Sequence, residues 1–302
     1  MIFRRMIPAA PVLLLLAMPM TAQAADDEPV HLKPQSPWQL DYADSRCRLG
    51  RYFGEGDEKT VFWLEQYGPS DGFTWLVAGP AIDRFRSRRE TNVQFGPHFP
   101  RWQISYPETT LEGFGPAISG TGPVAPPDDG DEDKEAANKP VGLPHLDAEA
   151  GRELFWLRLD QKFAQPVVLE LGKMDKPFEA MNQCVEDLVA HWGVDVEAQK
   201  TRATPPQFTN IMLVARKIQE HYPEKAVRSG SQANFHLRIL VGVNGQATDC
   251  TLTDITLATN FDMRRHPCRI VLDSAKFESA RDVNGNPVAS FYETNIAYRI
   301  GR

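Results

Sequence analysis

The side chains that could do chemistry in this chain do not stand at the spacings that a metal site or a general acid–base pair requires. A helical zinc site needs two histidines four residues apart, and no histidine pair here has that spacing. Neighbouring carboxylates such as Glu186 and Asp187 point in different directions on a helix. The histidines are His31, His98, His145, His191, His221, His236 and His266. The sequence therefore predicts no catalytic residue, no metal site and no cofactor, and favours binding over catalysis.

The charge balance argues against a nucleic-acid partner. The formal net charge of the 302 residues is −7, whereas phosphate neutralisation needs a basic surface. The segment RFRSRRE, 84 to 90, is a local exception with four arginines. Such a run is more often a solvated edge or turn than an anion site.

The first 24 residues have the pattern of a secretory signal peptide. Arg4 and Arg5 precede an apolar run from 7 to 20, and Ala22, Gln23 and Ala24 form an A-x-A cleavage pattern. The run is shorter than the roughly 20 residues that span a bilayer, and prolines interrupt it. We therefore expect cleavage after Ala24, no stable membrane span in the mature chain, and export to a bacterial periplasm.

The four cysteines are expected to be oxidised. Cys47, Cys184, Cys250 and Cys268 all follow the predicted signal, and an even number in an exported protein favours two disulfides. Four cysteines allow three connectivities, and none of their spacings is typical of zinc binding or of a C-x-x-C redox pair.

Strands rich in aromatic and β-branched residues are predicted to position the side chains named above. Such residues recur at period two between Gly and Pro punctuation, which predicts an antiparallel β-rich unit over residues 30–196. The predicted strands span residues 38–42, 47–53, 60–67, 72–79, 91–95, 101–106, 153–160 and 166–171. Between them, the Gly-, Pro- and acid-rich stretch near 115–147 is predicted to be a disordered loop.

A helix is predicted to close this unit. In DKPFEAMNQCVEDLVAHWG, 175 to 193, apolar residues recur at helical spacing, Pro177 suits the first turn and Gly193 ends it. Cys184 falls on the apolar face and points at the sheet. A bridge between Cys184 and Cys47 would join the helix to an early strand.

A second unit is predicted over residues 208–302, after a linker at 197–207 that contains Pro205 and Pro206. Its first helix carries Ile211, Val214, Ile218 and Tyr222 on one side. The stretch FHLRILVGVNGQATDC, 235 to 250, predicts a hairpin turning at Asn244-Gly245. A helix with Val271, Leu272 and Ala275 inward and a last strand after the Asn284-Gly285 turn complete an α+β unit.

Five short segments of the second unit stand in an order and spacing typical of one family. They are YPEKAVRSG (222–230), VNGQATDC (243–250), FD (261–262), FESARDVNGNPV (277–288) and the closing AYRI. With them, the unit resembles the C-terminal domain of the TonB family, the periplasmic module of bacterial energy transducers. The resemblance covers roughly a third of the chain. Ser279 departs from the proline usual in the family. The first unit resembles no family that we recognise.

The resemblance implies a disulfide and a binding mode. Cys250 and Cys268 match the cysteine pair that a subset of the family carries, and the expected second disulfide is the Cys47–Cys184 bridge described above. In the family, the outer strand of a small sheet pairs with an extended segment of an outer-membrane receptor, a case of β-augmentation. The corresponding edge here is the last strand, around Phe291, Glu293, Asn295 and Ala297.

Departures from the family pattern bear on which function is expected. In the family, a transducer keeps a membrane anchor that contains a histidine, whereas the first histidine here is His31, beyond the predicted cleavage site. A transducer also has a long proline-rich segment that crosses the periplasm, and here a β-rich unit is predicted in its place. The sequence predicts a periplasmic TonB-family protein that binds partners by strand addition, in receptor-linked transport, with an edge-paired dimer also open. The alternatives are an anchored energy transducer with an uncleaved N-terminus, and an enzyme or ligand binder that uses the first unit.

Overall fold

The fold is α+β, as the sequence predicted. The structure is a computed structural model that describes residues 28–87, 89–106, 109–122, 142–221, 224–229, 233–257 and 267–298. The predicted signal peptide and the middle of the predicted acidic loop, 123–141, lie outside these ranges. The described residues contain no helix that is long and apolar enough to cross a bilayer.

Strands dominate both units. They are β1 Val30–Leu32, β2 Gln39–Ala43, β3 Arg46–Phe53, β4 Thr60–Gln66, β5 Phe73–Ala78, β6 Thr91–Phe95, β7 Trp102–Ile104, β8 Thr109–Leu111, β9 Gly115–Gly122, β10 Leu157–Gln161, β11 Val167–Leu169, β12 Arg202–Thr204, β13 Gln207–Phe208, β14 Ala233–Val241, β15 Ala247–Leu257, β16 Phe277–Glu278, β17 Ala280–Asp282, β18 Pro287–Val288 and β19 Ser290–Tyr298. The α-helices are α1 Ala148–Arg152, α2 Asp175–His191, α3 Val196–Lys200, α4 Ile211–Glu220, α5 Glu224–Ser229 and α6 Pro267–Ser274.

The first unit is built on two sheets that share one core. A six-stranded antiparallel sheet has the order β2-β3-β4-β5-β9-β8, and a five-stranded sheet has the order β1-β11-β10-β6-β7. Alternate residues of both sheets, including Phe62, Trp75, Phe95 and Leu157, are buried in the same hydrophobic cluster. The period-two pattern in the sequence therefore marks the faces that meet in this core.

The predicted acidic loop is shorter than expected at both ends. Residues 115–122 form β9, which pairs with β5 along six residues. Gly120 is needed there, because a Cβ at this position would lie 2.5 Å from the Trp75 ring. On the far side, Leu143 and Leu146 are buried. Gly120, one of the glycines on which the prediction of disorder rested, thus leaves the space that the Trp75 ring occupies in the core.

Helix α2 is fastened to the six-stranded sheet, as the sequence predicted. Phe178, Met181, Val185 and Leu188 are buried on its inner face. Cys184 on the same face forms a disulfide with Cys47 of β3.

The segment predicted to be a linker, 197–207, is largely built into secondary structure. Asp195 caps α3 by accepting hydrogen bonds from the N–H groups of Glu197 and Ala198. β12 pairs with β17, and β13 pairs with β16. The prolines at 205 and 206 therefore separate two short strands rather than two loose domains.

The second unit is a three-stranded antiparallel sheet with helices on one face. Its order is β15-β14-β19, and the β14–β15 hairpin turns at Asn244-Gly245 as predicted. Residues of β14 such as Phe235, Leu237 and Ile239 pack with Val214 and Val271 of α4 and α6. The Cys250–Cys268 disulfide joins β15 to α6, as the family resemblance implied.

One detail of these helices differs from the prediction. Leu272 and Ile211 were expected to point inward, but they are 43% and 41% exposed. The described part of α6 starts at Pro267, a residue that suits the first turn of a helix. Tyr222 lies outside the described residues.

Candidate strand-addition site

Strand β19 lies at an edge of its sheet. It pairs with β14 along nine residues, from Ser290 opposite Val241 to Tyr298 opposite Ala233. In the described part of the chain, no strand pairs with its other side. β19 therefore lies at the edge of its sheet, which is the position that the family resemblance implied.

The alternation along the strands shows which residues of β19 direct their backbone N–H and C=O groups away from β14. Gly242 donates its N–H to the carbonyl of Gln246, at 2.9 Å on the β15 side. Because successive residues of a strand direct their backbone groups to opposite sides, Val241 and Ile239 direct theirs to β19. Their partners Ser290 and Tyr292 face β14. The backbone groups of the intervening residues Phe291, Glu293, Asn295 and Ala297 therefore point outward.

These outward groups form an unpaired row. Among the described residues, none makes a backbone hydrogen bond to the outer side of Phe291, Glu293 or Asn295. An open row of N–H and C=O groups is what a guest strand requires. Asn295 is exposed, and Ala297 lies opposite Asn234 of β14.

The side chains of Phe291 and Glu293, in contrast, are covered by the first unit. Phe291 is buried in the core cluster of that unit, with its ring 5.2 Å from the Trp192 ring in an edge-on arrangement. Its cross-strand neighbour Leu240 packs against the same cluster. The face of the sheet opposite to α4 and α6 is thus an interface within the protein.

The loop between β4 and β5, residues 67–72, completes this interface. A Cβ at Gly68 would lie 2.7 Å from one carboxylate oxygen of Glu293, so the loop backbone rests on that carboxyl group. The rings of Tyr67 and His236 lie 4.9 Å apart. We use the term junction for this contact between the two units. Loop 67–72 and Trp192 form its first-unit side. Its second-unit side is formed by His236, Arg238, Leu240, Phe291 and Glu293.

Two charged groups are enclosed at the junction. Arg238 and Glu293 are directly opposite each other in β14 and β19. The Arg238 guanidinium carbon lies 4.4 Å from the centre of the Trp192 ring, and its Nη2 donates to Thr251 at 3.1 Å. Burial lowers the pKa of Arg238. Burial also raises the pKa of Glu293 to about 7, and Arg238 only partly offsets that effect.

A buried arginine anchors the start of β19. Arg202 donates to Gln199 Oε1, to Ser290 Oγ and to the Gly142 carbonyl at 3.1 to 3.3 Å. Gln199 in turn donates to the Ala289 carbonyl at 2.8 Å. Sequence reasoning missed this group, and the only sequence signal was the presence of polar residues in the segment taken as a linker.

The arrangement of the candidate chemical groups does not favour an enzyme site at the loop. Residues 68–72, GPSDG, match the G-x-S-x-G motif of a nucleophile turn, which the sequence analysis missed. That turn requires a strand followed by a helix, whereas this one joins antiparallel β4 and β5. The Ser70 hydroxyl accepts a hydrogen bond from the N–H of Gly72. Across the described ranges, no group of three or more His, Cys, Asp or Glu residues could hold a metal ion.

Comparison with known proteins adds no relative. No family model matches the sequence, and neither the curated proteins nor the solved structures give a significant match.

Proposed function

We propose that this protein is an exported binding protein of the TonB type, which captures an extended segment of a partner by strand addition to β19. The observation that supports this most is the outward row of backbone groups at Phe291, Glu293 and Asn295. Because a guest strand pairs with the main chain, its binding depends little on side chains.

The proposed location is the periplasm, reached through the predicted signal peptide. The two disulfides are typical of proteins that fold outside the reducing cytoplasm. The partner we propose is the periplasm-facing extended segment of an outer-membrane receptor, in keeping with the family resemblance.

The main-chain character of the binding gives a specific test at Asn295. Asn295→Pro removes an outward N–H without removing a bond to β14, and proline is tolerated at such positions on edge strands. Asn295→Ala keeps the N–H and removes only the side chain. We expect the alanine variant to bind a synthetic receptor-segment peptide within about twofold of wild type, since the main-chain contacts remain.

The proline variant is expected to bind that peptide at least about tenfold more weakly, because one lost hydrogen bond and the pyrrolidine ring both oppose the guest strand. Calorimetric titration of the exported chain measures both affinities, and thermal unfolding checks that both variants fold. Equal affinity of the two variants would contradict strand addition at this edge. Failure of the wild type to bind would contradict the proposed partner.

A further inference from the structure

The junction encloses several polar atoms that have no hydrogen-bond partner among the described residues. Across the described residues, eight buried side-chain nitrogen or oxygen atoms have no hydrogen-bond partner. Four of the eight belong to the junction: Trp192 Nε1, Arg238 Nε, Arg238 Nη1 and Glu293 Oε1. A buried polar atom without a partner opposes burial, and the same atom would be satisfied by water if the surfaces separated.

Among the described residues, the second unit contributes two residues, Phe291 and Leu240, to the hydrophobic cluster of the first unit. Phe291 and Trp192 supply the aromatic contact of the junction, with Leu240 beside them. Interfaces between units of one chain that combine modest apolar contact with enclosed polar groups are the ones expected to move. The junction has no disulfide across it, because both bridges lie within a unit.

We propose that the junction is a dock that opens and closes while both units stay folded, closed in acid and loosened as the pH rises through neutrality. This goes beyond strand addition and does not depend on it. Opening would bare the Phe291 and Trp192 rings and allow water to reach Arg238 and Glu293.

The sign of the pH effect follows from which state holds the proton. Glu293 has a pKa of about 7 when docked and an ordinary value of 4.5 when solvated. The docked state therefore binds the proton more tightly, so docking is strongest below pH 4.5 and weakens as the pH rises towards 7. The loss is complete about one pH unit above the docked pKa. These two values imply a docking constant that falls roughly 30-fold between pH 5.5 and 8.

Other charged and titratable groups lie around Glu293. Arg238 on β14 is the one that acts on its pKa, and Asp249 on β15 acts on Arg238. His236 on β14 hydrogen-bonds to Thr253 of β15. From the first unit, Tyr67 donates to Glu65, which also pairs with Arg46 and Arg48. Glu65 is therefore paired within its own unit, and Glu293 is the carboxyl group that the junction encloses.

The buried indole N–H of Trp192 provides a probe of opening. It has no hydrogen-bond partner, so it exchanges with water when the junction opens. The measurement is indole hydrogen exchange by ¹⁵N NMR on the exported chain from pH 5.5 to 8, corrected for intrinsic rates, with Trp75 of the core as reference. We expect Trp192 protection to fall roughly 30-fold over this range while Trp75 stays protected.

Glu293→Gln keeps the shape of the protonated carboxyl group and removes its titration. We expect Trp192 protection in this variant to vary less than about threefold over the same range, because the linked proton is gone. The matched control, Glu278→Gln at the exposed position of β16, should keep the wild-type profile. Two results would overturn the proposal: the same pH profile in Glu293→Gln as in wild type, or equal protection of Trp192 and Trp75 in wild type at every pH. The second comparison needs no variant.

Discussion

Arg202 is buried without a carboxylate in contact among the described residues, and its hydrogen-bond partners are all neutral. It joins Gly142, Gln199 and Ser290, which come from three separate segments. Burial lowers its pKa, so the surrounding oxygen atoms must offset the cost of enclosing the charge. At the residue scale, this group holds β19 in place at its first residue.

Replacing Arg202 tests that role. Arg202→Met keeps much of the side-chain volume and removes three hydrogen bonds, which leaves buried acceptors unpaired. We expect the free energy of unfolding to fall by about 2 to 4 kcal/mol. Urea denaturation measures the change, and the exposed Arg216→Met on α4 serves as the control, with a change within about 0.5 kcal/mol. A value for Arg202→Met as small as that of the control would show that the group is dispensable.

At the scale of elements, the two disulfides fasten helices to sheets on opposite sides of the junction. Cys47–Cys184 spans 137 positions and Cys250–Cys268 spans 18. Because loop-closure entropy grows with the logarithm of loop length, the longer bridge is expected to stabilise its unit more.

The expected costs of removal are about 5 kcal/mol for Cys47→Ala with Cys184→Ala, and about 3 kcal/mol for Cys250→Ala with Cys268→Ala. Urea denaturation of the two double variants compares these values. A larger loss from the shorter bridge would mean that packing around Cys250 and Cys268, rather than loop closure, sets its contribution.

At the scale of the whole molecule, local patterns predicted the elements and the family resemblance helped to predict the pairing of the cysteines, but neither predicted how the two units meet. Period-two runs such as TNVQF, 91 to 95, became strands with the predicted bounds because their alternate residues fill one core. Trp192 and Phe291 each fit an ordinary core position, and nothing in their local sequence specifies that they face each other across the junction. The glycines of β9 predicted disorder because the need for Gly120 arises only once Trp75 is in place.

The placement of β19 followed from sequence, whereas the burial of Glu293 did not. Its alternating pattern and the preceding Asn-Gly turn predict a final strand, and the family resemblance assigned it to an edge. The carboxyl group is covered by Gly68, more than 200 positions away in the chain. Such long-range contacts depend on the docking of finished units, which residue types alone do not encode.

Residue-resolved amide hydrogen exchange along β19 tests the central claim most directly, because exchange reports whether each N–H is already bonded. We predict an alternating pattern in the free protein: slow exchange at Tyr292, Thr294 and Ile296, which face β14, and fast exchange at Glu293 and Asn295, which face outward. Slow exchange at all five positions would mean that the protein's own chain, or a second copy of it, already fills the outer side of β19, and the account of strand addition would be contradicted.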